Sequence, residues 1–115
     1  MDIHECNKMV LAILQGDDYE DTVRTLNEKD FYVTVLHTSG GFLKRRSVTL
    51  MMALPEHRLD DALEILKSCA GERATDEFVS PILVGHSSIF PAVVPVSVRC
   101  GGVIVFVFDV QAMRY

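Results

Sequence analysis

Continuous apolar runs and stretches of helical period alternate along the chain, and the switches between them mark the elements. Residues 9–14 form a continuous apolar run, the pattern of a strand buried on both faces, so a first strand is placed there. Asp17 then offers a helix cap, with Glu20 three positions on as its capping-box partner, and Tyr19, Val23 and Leu26 fall on one helical face. A helix over residues 18–28 follows. Residues 31–36 are rich in β-branched and aromatic side chains and stop at Thr38-Ser39-Gly40-Gly41, which predicts a second strand with a sharp exit. A loop carrying Phe42, Leu43, Lys44, Arg45 and Arg46 leads to a third strand over residues 47–54, closed by Pro55.

From residue 56 to 70 the apolar positions Leu59, Ala62, Leu63, Leu66 and Cys69 recur at steps of three and four, with Gly71 in the C′ place, and this predicts the second helix. Residues 72–90 show no sustained period. They contain Ser80-Pro81, Gly85-His86-Ser87-Ser88 and Phe90-Pro91, so a long irregular segment of the binding-loop kind is expected. Two apolar stretches, residues 93–98 and 103–110, flank Arg99-Cys100-Gly101-Gly102 and predict a hairpin with the glycines at or beside its turn and both strands well buried.

The resulting order, β-α-β-β-α-β plus an extra strand, is that of an α+β, ferredoxin-like split βαβ sandwich. It occupies residues 9–115 as a single domain, after a polar N-terminal segment, residues 1–8, whose order the pattern leaves open. Such a sheet carries helices on one face only. Strands as apolar as residues 103–108 cannot leave the other face in water, so a homo-oligomer is expected.

Composition narrows the function classes. At 115 residues, 49% hydrophobic and 23% charged, one globular domain with its own core is expected, and every apolar run is far shorter than a bilayer span. Residues 1–8 lack an apolar h-region, so a cytoplasmic address is expected and no membrane partner. Cys6, Cys69 and Cys100 are odd in number and far apart, which points to thiols rather than a disulfide framework or a zinc site. A net charge of −5 gives no broad basic face for DNA.

No catalytic spacing is present, so no catalytic residue, metal or cofactor is assigned. His4, His37, His57 and His86 are scattered and read as surface or structural side chains, Cys69 as core, and Asp17 with Asp18 as helix-capping charges rather than a catalytic pair. Residues 38–46 differ in kind: consecutive glycines can turn backbone N–H groups inward as an anion nest, two hydroxyls lie beside them, and three cations follow. Phe42 adds a flat face for a nucleobase. The same residues also suit a hairpin loop with solvated cations and Phe42 in a subunit contact.

Thr38-Ser39-Gly40-Gly41-Phe42-Leu43 after a strand, with Pro95-Val96-Ser97-Val98-Arg99-Cys100-Gly101-Gly102-Val103-Ile104-Val105-Phe106-Val107 near the end, resembles the P-II-like cyclic-di-AMP receptor proteins of bacteria. The family runs T-G-G-F-L and P-V-E-V-x-V-G-G-A-T-V-F-V at these places. Gln15 with Asp17 after the first strand, and Val79-Ser80-Pro81, agree as well, so the likeness spans residues 8–110. It implies a P-II-like homotrimer with ligand sites between subunits, no catalysis, cyclic-di-AMP or another nucleotide as ligand, and signal transduction through loop rearrangement toward a protein target. In this chain the ligand is expected to rest on the backbone of Gly40, Gly41, Phe42 and Leu43, with Thr34 and Ser47 as polar contacts and Arg45 or Arg46 meeting phosphate.

This chain departs from that pattern where it would read the ligand. The family's N-F-R-x-T is Asp30-Phe31-Tyr32-Val33-Thr34 here, which removes an amide and a guanidinium and keeps Thr34. In place of x-x-G-N-T-T stands Lys44-Arg45-Arg46-Ser47-Val48-Thr49, with Arg46 for a glycine and Ser47 for an asparagine, and Ala53 replaces a later glycine. The stretch from the second helix to Ser80-Pro81 is longer than is usual. A serine reaches less far than an amide, and Tyr32 cannot clamp a phosphate with two parallel bonds. Two other classes stay open beside the receptor. A protein-interaction module would use the two loops without a nucleotide, and an enzyme would need His37 or Tyr32 as acid or base without an assignable orienting carboxylate.

Overall fold

The computed structural model describes residues 2–37, 46–79 and 94–115. Strands β1 (Lys8–Gln15), β2 (Thr34–His37) and β3 (Ser47–Leu54), helices α1 (Tyr19–Glu28) and α2 (Leu59–Ala70), and strands β4 (Arg73–Val79), β5 (Val94–Cys100) and β6 (Val103–Asp109) follow in chain order. The main sheet has the order β2-β3-β1-β6, antiparallel throughout, which is the ferredoxin-like split βαβ arrangement. Among the described residues β4 and β5 pair only with each other, as a separate two-stranded ribbon between α2 and β6 in the chain.

Strict alternation explains the layering. On β1 the side chains of Val10, Ala12 and Leu14 are buried, and on β3 those of Val48, Leu50, Met52 and Leu54, all on the side that the helices cover. Against them pack Leu26 of α1 and Ala62, Leu66 and Ala70 of α2, which lie at helical steps on one face. The other face carries Met9, Leu11 and Ile13 of β1 opposite Phe108, Phe106 and Ile104 of β6, the last three about half exposed at 45%, 49% and 50%. β1 is therefore covered on one face, and β6 is an edge strand rather than a well-buried one.

Several predicted elements change. β2 begins at Thr34, because Phe31 is a core plug 1% exposed, with the Arg58 guanidinium 4.1 Å from its ring centroid and donating to the Lys29 carbonyl. Residues 73–79, expected to be irregular, form β4. β5 turns away from β6 to meet it, so Gly101-Gly102 is not a hairpin turn but a corner between ribbon and sheet, with φ of +79° and +117°. Asp17 lies in a short 3₁₀ turn, Gly16–Asp18, and no side-chain cap starts α1. Another 3₁₀ turn, Glu56–Arg58, takes the first residues expected in α2, and Gly71 ends that helix in an extended conformation. Cys69 is half-buried rather than core.

At the other end of the sheet, Asn7 joins three segments. Its N–H donates to the Leu54 carbonyl, its carbonyl accepts from Val110, and its Oδ1 accepts from the Glu56 N–H. Lys8 pairs with Asp109 nearby, and that contact raises the lysine pKa. Cys6, 6% exposed, donates its thiol to the Asp2 carbonyl at 3.7 Å, and burial pushes its pKa up. Reactivity follows the thiolate, so Cys69 and Cys100 should react with a thiol reagent at pH 8 at least about tenfold faster than Cys6. Mass mapping of the labelled peptides checks that order, and labelling of Cys6 first would contradict it. Among the described residues no helix is long and apolar enough to cross a membrane.

Candidate functional site

The residues expected at the ligand divide into those the structure describes and those it does not. Gly40, Gly41, Phe42, Leu43 and Arg45, with Thr38, Ser39 and Lys44, lie outside the described residues, as do Ser80, Pro81, His86 and Phe90. Thr34, Arg46 and Ser47 are described. Thr34 is exposed on β2 opposite Met51, and Ser47 opens β3 opposite Gln15. Both residues sit on the face that the helices leave open, because they share alternation with Met51 and Leu11.

They are not neighbours. Ser47 and Met51 are four strand residues apart, so Thr34 and Ser47 stand roughly 13 Å from one another along the sheet. A single phosphate or ring could not touch both within one chain. Thr34 instead shares a cavity of about 280 Å³ with Tyr32, Ile3, Cys6, Met9, Met51 and Ala53. Its walls are mostly apolar, and the side chain where the resemblance expects a guanidinium is Tyr32, 73% exposed.

Asp30, at the position of the expected amide, takes a φ of +64° where α1 ends, its N–H donating to the Asn27 carbonyl. Aspartate and asparagine are the non-glycine residues that enter this left-handed region most readily, so the backbone gives this position a reason for its residue type apart from any ligand.

Arg46 and Ser47 belong to a different constellation, the corner that joins β1 to α1. The Gly16 N–H donates to the Arg46 carbonyl at 2.9 Å, and a Cβ at Gly16 would sit 3.3 Å from that oxygen, so the close approach favours glycine. Gln15 Oε1 accepts from the Gly101 N–H at 3.2 Å. Asp18, 7% exposed, takes a forked contact from Arg73, with Nη2 to Oδ1 at 2.6 Å and Nη1 to Oδ2 at 3.4 Å, and this bond raises the arginine pKa. The sequence marks Asp18 as a helix-start charge and places Arg73 in a stretch without a period. The two are 55 residues apart, and nothing local marks the pair. Tyr19 and His37 meet edge to face beside this corner, with centroids 6.2 Å apart.

A family model described as cyclic-di-AMP receptor matches residues 7–115. The chain belongs to the cyclic-di-AMP receptor family. A crystal structure of a functionally unknown protein from Pediococcus pentosaceus is similar to this receptor-family chain at 30% identity and a TM-score of 0.74, covering 96% of this chain and 99% of that one. CPII from Thiomonas intermedia, bound to ADP, AMP and acetate, matches at 18% identity and a TM-score of 0.57, over 94% of this chain and 89% of its own. The same protein, described as nitrogen regulatory PII-like and bound to ADP, AMP and bicarbonate, matches at 19% and 0.55, over 95% and 94%. Both share the PII-like fold with this receptor-family chain.

Proposed function

We propose that this chain is a non-enzymatic, nucleotide-binding signalling protein that works as a homotrimer, with its pocket formed where one copy covers the open sheet face of the next. The observation carrying this reading is that Thr34 and Ser47 occupy the same uncovered face as the half-exposed row Ile104, Phe106 and Phe108. A second copy laid on that apolar face would supply the missing wall. The ligand would rest on the backbone of Gly40, Gly41, Phe42 and Leu43, with Thr34 and Ser47 as polar contacts and Arg45 or Arg46 at phosphate. Membership in the cyclic-di-AMP receptor family, and adenine nucleotides in the PII-like CPII structures, support an adenine nucleotide.

Cyclic-di-AMP itself is expected to bind weakly, because Tyr32 and Ser47 stand where the family carries a guanidinium and an amide, and Asp30 adds like charge toward phosphate. A thermal-shift series against cyclic-di-AMP, AMP and ADP tests the reading, since a ligand that binds only the folded state raises its apparent stability. At least one should raise the midpoint as its concentration rises. No shift with any of them at millimolar concentration contradicts the proposal. Tyr32→Arg with Ser47→Asn should tighten cyclic-di-AMP binding by about a hundredfold, since each restored bond is worth roughly 1.5 kcal/mol. Calorimetry reads that gain.

The ribbon of β4 and β5, which leaves the sheet altogether, favours a second reading as a protein-interaction module. That reading expects a specific complex that none of the three nucleotides alters.

A further inference from the structure

The corner between β1 and α1 touches two parts of the molecule that, among the described residues, have no backbone pairing with each other. On one side it holds the start of β3, through the Gly16 N–H to the Arg46 carbonyl at 2.9 Å and the pairing of Gln15 with Ser47. On the other it holds the base of the ribbon, through Gln15 Oε1 to the Gly101 N–H at 3.2 Å and Asp18 to Arg73 at 2.6 Å. Gln15 and Gly16 are consecutive, so a shift of one peptide unit changes both sets of bonds.

The corner is also stiff against its own helix. The hydroxyl of fully buried Thr22 donates to the Asp18 carbonyl at 2.7 Å, so Asp18 cannot follow Arg73 without disturbing α1. The same Arg73 Nη1 that faces Asp18 Oδ2 also donates to the Gly71 carbonyl at 3.1 Å, and the Gly102 N–H donates to the Ala70 carbonyl at 2.8 Å. The ribbon base is thus fixed to the end of α2 and the start of α1 together. Asp18 is nearly buried, and leaving a buried carboxylate unpaired is costly, so the ion pair moves as a unit rather than opening freely.

We infer that residues 15–18 act as a mechanical joint linking the ribbon β4–β5 to the start of β3, with Asp18 and Arg73 as its positioning pair. In the ligand-free chain the joint acts through the fold alone. As regulation of the proposed nucleotide site it rests on that reading: occupancy beside Ser47 would be reported at the ribbon through Gln15 and Gly16.

Amide exchange on the full chain tests the joint without a ligand. Asp18→Asn should speed exchange at Gly101 and at Gly16 by about tenfold, relative to the Leu50 amide in the central strand, because local openings respond to the bonds that hold them. Asp21→Asn removes the same charge from the exposed Asp21–Arg24 pair and should leave both unchanged. Should Asp18→Asn fold poorly, Arg73→Lys keeps the charge, loses the fork, and should give the same pattern at smaller size. A rise at Gly101 with Gly16 unchanged overturns the joint, and so does an equal rise at all three amides. With cyclic-di-AMP added to the wild type, Gly16 and Gly101 should change together. If cyclic-di-AMP, AMP and ADP all fail to bind, the nucleotide reading falls and the ligand-free pattern still decides the joint.

Discussion

Replacing Phe106 by aspartate is expected to split the proposed homotrimer into single copies. Phe106 lies opposite Leu11, midway along the edge strand β6 on the open face, flanked by the pairs Ile13–Ile104 and Met9–Phe108, and about half of its surface is exposed in one chain. A copy packed there would remove most of that area from water at about 25 cal/mol per Å². A carboxylate in the same place would have to be desolvated without a partner, at a cost of several kcal/mol at each interface. Phe106→Ala should weaken the assembly to a lesser degree. Arg24→Asp, on the exposed side of α1, should leave it intact. Sedimentation velocity reads all three, and a Phe106→Asp protein that keeps the wild-type mass would mean that this face is not the contact.

The second large effect is expected at the corner glycines. Gly101→Ala places a residue at φ +79° and drives its Cβ into the Gly71 carbonyl and to within 2.6 Å of Arg73 Nη1, so strain and clash combine. A loss of about 2–4 kcal/mol is expected, the sum of a strained backbone and an ion-pair arginine pushed aside. Gly102→Ala meets nothing within 4 Å and bears only the conformational cost, about 1–2 kcal/mol. Urea midpoints of the two variants compare them directly. If Gly102→Ala proves the more damaging, the corner is not held as described.

These glycines also show where sequence reasoning reaches its limit. The apolar run of residues 9–14, the apolar-rich stretch 47–54 and the helical period within residues 56–70 each report burial against a neighbour, and β1, β3 and α2 stand where they point, with α2 starting at Leu59. A Gly-Gly pair between two apolar stretches reports only positive φ, which a hairpin turn and a corner need equally. The partner of β5 decides between them, and that partner, β4, mixes polar and charged residues with little alternation. Phe31 lies outside β2 for a related reason: an aromatic next to β-branched residues looks like a strand whether it lies in the sheet or plugs the core beneath Arg58.

The candidate site divides in the same way. Its residue types were legible, since glycines, hydroxyls and cations suit an anion wherever they occur close together in sequence. Its spatial arrangement was not. The distance between Thr34 and Ser47 depends on the register of β2 against β3, which spacing along the chain does not contain. Asp18 with Arg73 and Gln15 with Gly101 join positions 55 and 86 residues apart. Such pairs come only from the folded corner.

Native mass spectrometry of the wild-type chain, with and without millimolar cyclic-di-AMP or ADP, tests the central claim most directly, because one spectrum counts both copies and bound ligands. Three chains of 12.8 kDa each, gaining nucleotide mass when it is added, is the expected result. A single chain that stays single and takes up nothing would contradict the account.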